Sequence, residues 1–134
     1  MQTQKYPPNV LNEMCPSRQT LEIIADKWAT LVLVSIARGI NRHNRMLREI
    51  GGISKKMLAQ TLRKLEQNGI INRKVYPVVP PMVEYTLTPI GKELMEPISM
   101  LGAWAEKNAE AVQKARETYE VREDPYALIL TETR

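Results

Sequence analysis

The 134-residue chain holds one cysteine, one histidine and no phenylalanine. A single thiol cannot build an internal disulfide framework, which fits a reducing compartment. One Cys and one His also fall short of the ligand set of a zinc or other soft-metal cluster. Glycine is sparse, six residues in all, and none forms a loop of the kind that cradles nucleotide phosphates. No run of about 18 apolar residues exists to cross a bilayer, and the opening MQTQKYPPNV lacks the apolar core of a signal peptide. No Ser/His/Asp or Cys/His arrangement stands in a catalytic context. The acidic residues read as ordinary helix-surface Glu and not as paired acid and base. The expectation is a cytoplasmic, non-enzymatic protein of one domain, with no cofactor, metal or membrane partner.

What is present is unevenly distributed charge. The net charge is +4, yet residues 38–76 carry ten Lys/Arg against two Asp/Glu, while residues 92–134 carry six against nine. Basicity concentrated in one segment points to a polyanionic partner more strongly than a global pI does. A solvated basic surface is the alternative that charge alone leaves open.

Apolar spacing then organises the chain. SRQTLEIIADKW reads as a helix with Ser17 as N-cap and Leu21, Ile24 and Trp28 at helical intervals. KWATLVLVSIARG is almost wholly apolar, so it is expected to form the spine of the core, ending at Gly39. NRHNRMLREIGG gives a short third helix capped by Asn41, with Met46, Leu47 and Ile50 inward and Gly51-Gly52 as its stop. A fourth helix follows in SKKMLAQTLRKLEQNG, with Ser54 as N-cap and Asn68-Gly69 suited to a left-handed end. Its Met57, Leu58, Thr61, Leu62 and Leu65 share one face, and Lys56, Ala59, Gln60, Arg63 and Gln67 the other. Two strands are expected, in GIINRKVYP and in MVEYTLT, about a proline-rich turn; Pro cannot donate to a ladder, so Pro77, Pro80 and Pro81 belong to the turn. From Thr88, a cap followed by Pro89, a long helix is expected with Leu94, Ile98, Leu101 and Ala105 as its apolar stripe, Trp104 beside it and a kink at Pro97.

A cationic fourth helix after a short Gly-containing turn, followed by a hairpin, suggests a winged helix-turn-helix. CPSRQTLEIIADKW, GISKKMLAQTLRKLEQNGIINRKVY and VPPMVEYTLTPIGKEL, in that order, resemble the HxlR-type winged helix-turn-helix transcriptional regulators, relatives of the MarR group. The resemblance spans residues 15–104. It implies a mainly α fold with a small β wing, a single domain over 1–134 with its core at 15–104, and a C-terminal helix and tail at 105–134. It implies homodimers on double-stranded operator DNA, the fourth helix in the major groove and the hairpin along the backbone or minor groove. Two departures stand out: Ala25-Asp26 where the family has Gly-Gly, and Arg42-His43 where it has Arg-Phe. The imidazole is expected to take the aromatic packing position.

Reach assigns roles. Lys55, Lys56 and Gln60, in the first two turns of the fourth helix, with Arg63 one turn on, are the base-reading candidates; Gln pairs bidentately with adenine and Lys donates to guanine O6 and N7. Arg73 and Lys74 on the wing, with Arg42, Arg45 and Arg48, are the phosphate candidates. Leu21, Leu94, Ile98, Leu101, Trp104 and Ala105 are the dimer-interface candidates, because a long amphipathic helix leaving a small unit needs a partner. Cys15, before the first helix and near Arg18, is a redox-sensor candidate for an oxidant, an electrophile or a small thiol. Two other readings remain: a winged-helix module that meets an acidic protein without reading DNA, and an RNA binder, disfavoured by the lack of a stacking platform. The apolar YALIL of the tail, residues 126–130, is left unassigned.

Overall fold

A computed structural model of the chain describes residues 9–120. The elements run α1 (Pro16–Ile24), α2 (Lys27–Ala37), α3 (His43–Glu49), α4 (Lys55–Gln67), β1 (Ile71–Tyr76), β2 (Met82–Leu87), α5 (Pro89–Glu93) and α6 (Met95–Glu117). The described residues form two compact units, one ending at Ser99 and one beginning at Met100.

In the first unit α2 is the spine. Its Ala29, Val32, Leu33 and Ile36 are buried together with Met46 and Ile50 of the α3 segment and with Leu58, Leu62 and Leu65 of α4. Ile70, Ile71 and Tyr85 close this core from the wing side. Buried polar groups are satisfied locally: the Ser35 hydroxyl donates to the Ile40 carbonyl at 2.7 Å, and the Thr61 hydroxyl to that of Met57 at 2.7 Å. An unpaired hydroxyl in such a core would cost about 1–3 kcal/mol. Helix α4 starts as the sequence suggests, Ser54 Oγ accepting from the Met57 N–H at 3.0 Å. It ends where Gly69 takes a positive φ of 71°, a conformation that an L side chain resists.

Four local expectations are corrected. The N-cap of α1 is Cys15, not Ser17, because Pro16 occupies the first helical position and already lies in the helix. Asn41 does not cap α3: the N-cap is Arg42, without a side-chain hydrogen bond, and the Asn41 amide reaches Glu84 Oε1 at 3.0 Å instead. The helix after Thr88 breaks at Leu94 and is not kinked at Pro97 itself. Proline lacks the N–H that would bond the carbonyl four residues back, and its ring crowds that carbonyl, so the interruption falls N-terminal to Pro97. Trp28, counted with the first helix in the sequence, lies in α2, since the chain bends at Ala25-Asp26 and Thr30 Oγ1 donates back to the Ile24 carbonyl at 3.0 Å.

Strands β1 and β2 pair antiparallel, with Arg73 opposite Tyr85, Lys74 opposite Glu84 and Tyr76 opposite Met82. Pro77, Pro80 and Pro81 all fall between the strands, as expected. The hairpin is held at the middle of β2 and at its base. The Tyr85 N–H donates to the Asn41 carbonyl at 3.0 Å, and Thr88 Oγ1 donates to the Gly69 and Ile70 carbonyls at 2.7 and 2.9 Å. Thr88 also accepts from the Gly91 N–H at 3.2 Å, which caps α5. Gly91 is buried there, and a Cβ at that position would overlap the Ile70 carbonyl oxygen.

The second unit contains residues 100–117 of α6. None of the α6 residues is buried, and Met100, Leu101 and Trp104 are exposed. Among the described residues no helix is long and apolar enough to cross a membrane. The YALIL segment lies outside the described residues.

Candidate nucleic-acid interface

The inner face of α4 is committed to the core except at Met57, which is 37% exposed and not inward as expected, and the outer face is cationic. Leu58, Thr61, Leu62 and Leu65 are buried, which leaves Lys55, Lys56, Gln60 and Arg63 exposed. Lys56, Gln60 and Arg63, at intervals of four and three, share one stripe. Ala59 is half-buried between the two faces, so backbone lies close to the surface there. The two ion pairs among the described residues are Arg18–Glu22 at 2.8 Å and Arg45–Glu49 at 3.8 Å. Neither engages α4, so its cations are not committed to an acidic partner within the described residues.

A second cationic feature lies where α3 meets the hairpin tip. Arg42, His43, Asn44, Arg45 and Arg48 face Pro81, Met82 and Val83 across an open cleft of about 450 Å³. The three arginines proposed from sequence are thus gathered in one place, and Asn44 joins them. The exposed Arg45–Glu49 pair is one helical turn long and weak, since surface pairs of this kind contribute about 0.3–0.5 kcal/mol. His43 is half-buried and lines the same cleft.

The wing pair is divided. Successive side chains of a strand point to opposite faces, so Arg73 shares a face with Ile71 and Val75, whereas Lys74 shares the other with Tyr76 and Glu84. Lys74 Nζ stands 4.8 Å from the centre of the Tyr76 ring. The two cations cannot act as a tandem clamp on one side of the hairpin.

Glu84 is the acid within this basic surround. The Tyr76 hydroxyl, then the Asn41 amide, with smaller contributions from Arg42 and Lys74, hold its carboxyl below the ordinary carboxylate range against a partial desolvation that raises it. Its ionised form therefore ties the second strand to the segment entering α3. Sequence reasoning missed this tether, because Asn41 and Glu84 are 43 positions apart and nothing local signals the pairing.

Cys15 is half-buried at the N-cap of α1. The Arg18 backbone N–H, and to a lesser degree the Ser17 backbone and side chain, lower its thiol pKa, opposed by desolvation. No cap hydrogen bond is closed at this end, so the lowering reflects amides directed toward sulfur and not a formed bond. The Arg18 guanidinium plays a smaller part than its sequence position suggests, being turned to Glu22 Oε1 and the Leu11 carbonyl, each at 2.8 Å.

The dimer-interface candidates separate into two groups. Leu94 and Ile98 are half-buried against the core of the first unit, while Leu21, Leu101 and Trp104 are 49%, 66% and 61% exposed. Ala105 is exposed as well. The first two contribute to their own chain; the others present apolar surface outward. Among the described residues no group of three or more His, Cys, Asp or Glu is arranged to hold a metal ion.

Comparison with known proteins agrees with this geometry. A family model described as HxlR-like helix-turn-helix matches residues 23–113. The uncharacterized HTH-type transcriptional regulator YtfH of Escherichia coli (strain K12) is 46% identical over 109 residues, covering 81% of this chain and 86% of that protein. The solved structure of ytfH from Salmonella typhimurium superposes with a TM-score of 0.74 at 44% identity, covering 83% of this chain and 99% of that one. The redox regulator HypR in its reduced form superposes with a TM-score of 0.67 at 35% identity, covering 74% of this chain and 98% of the other.

Proposed function

Because this chain belongs to the HxlR-like helix-turn-helix family of transcriptional regulators, which are not enzymes, we propose that it acts as a homodimer reading double-stranded operator DNA through α4. The observation that carries this reading is the stripe of Lys56, Gln60 and Arg63 beside Lys55, without an acidic partner among the described residues, on a helix whose other face is packed into the core. In the major groove Gln60 and Lys56 address base edges. Arg42, Arg45 and Arg48 in the α3 cleft, with Arg73 and Lys74 on the two faces of the wing, take backbone phosphates and fix orientation. A two-fold dimer places its two α4 helices on half-sites about 34 Å apart, one turn of DNA, or a multiple of it. The test is a gel shift on the DNA upstream of the chain's own coding sequence, with unrelated duplex as competitor. Retention of a discrete complex under competition supports the reading. Capture of an acidic protein with no retained duplex would favour the protein-interaction alternative.

Cys15 supplies the signal-receiving end of this proposal. The N-cap amides favour thiolate, the form that attacks oxidants and electrophiles, and the similar HypR is described as a redox regulator. With no second cysteine in the chain, the product is a Cys15–Cys15 bond between subunits, a mixed disulfide with a small thiol, or an alkylated sulfur. In the first case two thiols give up two electrons and two protons to the oxidant.

A further inference from the structure

The tip of the wing lacks the chemistry of the surface that surrounds it. Residues 75–83, VYPVVPPMV, hold no charged side chain. Yet Arg73 and Lys74 stand just behind them on β1, and Arg42, Arg45 and Arg48 line the cleft beside Pro81, Met82 and Val83. The tip is fully presented to its surroundings: residues 77–81 are all exposed, and Val78 and Val79 are 49% and 100% exposed. Hydrogen-bond donors are almost absent from it. Proline has no N–H, and the Val78 N–H is already given to the Tyr76 carbonyl at 2.8 Å, which leaves the Val79 N–H alone between Pro77 and Pro81. Such a tip has no cation for a phosphate and no polar side chain for a base edge. What it offers is apolar surface on a stiff support.

Exposed apolar surface gains free energy only by meeting another apolar surface. In duplex DNA the broad apolar surfaces are the faces of the bases, which open when a step unstacks. Proteins of the minor groove exploit this by inserting apolar side chains, proline among them, between base steps and kinking the duplex. The tip suits that use. Its prolines fix φ and its valines are stiff at χ1, so little conformational freedom is lost on insertion. The cations behind it are arranged to match: Arg73 and Lys74 lie on opposite faces of the hairpin, one toward each of the two strands that wall a groove. We propose that the Val78-Val79 tip inserts between base pairs from the minor groove and bends the operator, with Arg73 and Lys74 on the phosphates of opposite strands. Pyrimidine–purine steps unstack most readily, so the wing selects a deformable step and not a hydrogen-bond pattern.

The wedge rests on the DNA-reading proposal, and the experiment separates the two. The probe is the duplex upstream of the chain's own coding sequence, with donor and acceptor dyes at its ends and 2-aminopurine placed in turn at its adenines. At saturating wild-type protein, energy transfer should rise as the ends approach, as a bend of about 20–90° requires, and 2-aminopurine at the wing-facing step should brighten as that step unstacks. Val79→Ser, at a fully exposed position, should leave the duplex bound but straighter and the probe dim. Arg73→Ala, compared at saturation, should keep both signals, because it removes a phosphate contact and not the wedge. Replacing the brightening step by a G·C-rich one should weaken wild type about tenfold and Val79→Ser much less. A retained complex on a straight duplex, or a bend and a brightening that Val79→Ser leaves unchanged, overturns the wedge and leaves DNA reading standing. No retained duplex at all overturns both. The chain has one cysteine, so Val79→Cys in a Cys15→Ser background carries a single thiol at the tip. Protection of that thiol by RNA polymerase and not by the operator would assign the tip to a protein partner and again overturn the wedge.

Discussion

Gly91 is where the first unit is least tolerant of one added carbon. A Cβ there overlaps the Ile70 carbonyl oxygen and lies 3.3 Å from the Ile70 carbonyl carbon and 3.4 Å from Thr88 Oγ1. The neighbouring atom is backbone at the entry to β1, so α5 has to move. Moving it strains the Thr88 hydroxyl bonds to Gly69 and Ile70 and the bond from the Thr88 N–H to the Ile70 carbonyl at 3.1 Å. Losing that hydroxyl donation and that backbone bond costs about 1–3 kcal/mol, and overpacking adds about 1–3 kcal/mol. Alanine recovers about 0.4–1 kcal/mol by restricting the unfolded chain. Gly91→Ala should therefore destabilise by about 1–6 kcal/mol, a fall in Tm of roughly 4–24 °C for a protein of this size. Gly102→Ala is the control. It lies in α6 with nothing within 4 Å of an added Cβ, and should be neutral or stabilising by up to about 1 kcal/mol. Circular dichroism melts at one fixed protein concentration decide the matter. Equal stability of the two variants would refute the close-approach account of α5.

Other substitutions separate the proposed roles. Gln60→Ala or Lys56→Ala should cost about 1–3 kcal/mol on the correct operator and relax base preference, measured by competition with single-base operator variants. Arg73→Ala should weaken all duplexes alike and flatten the salt slope by about one unit for each phosphate no longer neutralised; the reverse pattern would exchange the roles of helix and wing. For Glu84 the folded pKa is depressed, so its contribution is complete above the ordinary carboxylate value and is lost as pH falls through the folded one. Denaturant melts from neutral to acid pH should show wild type losing stability that Glu84→Gln, lacking the titration, does not lose over the same window; parallel curves would remove the tether. Diamide should change the DNA affinity of wild type but not of Cys15→Ser, and unchanged affinity with Cys15 modification confirmed by mass spectrometry would end the sensor role.

The sequence was most legible where local chemistry decides the outcome. The period of α4, its Ser54 cap and the Asn68-Gly69 end are all set within one helix, and the structure reproduces them. The alternation of MVEYTLT likewise separates Val83, Tyr85 and Leu87 from Met82, Glu84 and Thr86, and Tyr85 is the buried residue of β2. Caps were misread where a residue had a distant alternative. Asn41 has good capping chemistry but pairs with Glu84 across the fold, and Ser17 lost its place to a proline one residue earlier. Leu94 and Ile98 were grouped with Leu101 because one helical stripe runs through all three. The chain break at Leu94 and the core under the first two distinguish them, and neither is written in the periodicity. The cleft joining Arg42, Arg45 and Arg48 to the wing tip depends on tertiary docking of the hairpin, which charge counting alone does not locate.

The central claim is that the exposed cations form a DNA-reading surface, and a salt titration on the chain's own upstream operator tests it most directly. Eight candidate cations are exposed per protomer: Lys55, Lys56, Arg63, Arg42, Arg45, Arg48, Arg73 and Lys74. If about half meet phosphate, a dimer neutralises about eight, for a slope of log affinity against log salt near −7. Raising salt from about 50 to 200 mM should then weaken specific binding roughly 10⁴-fold, while an unrelated duplex competes poorly at every salt. An affinity that ignores salt, or one that is the same for operator and unrelated DNA, would contradict the account.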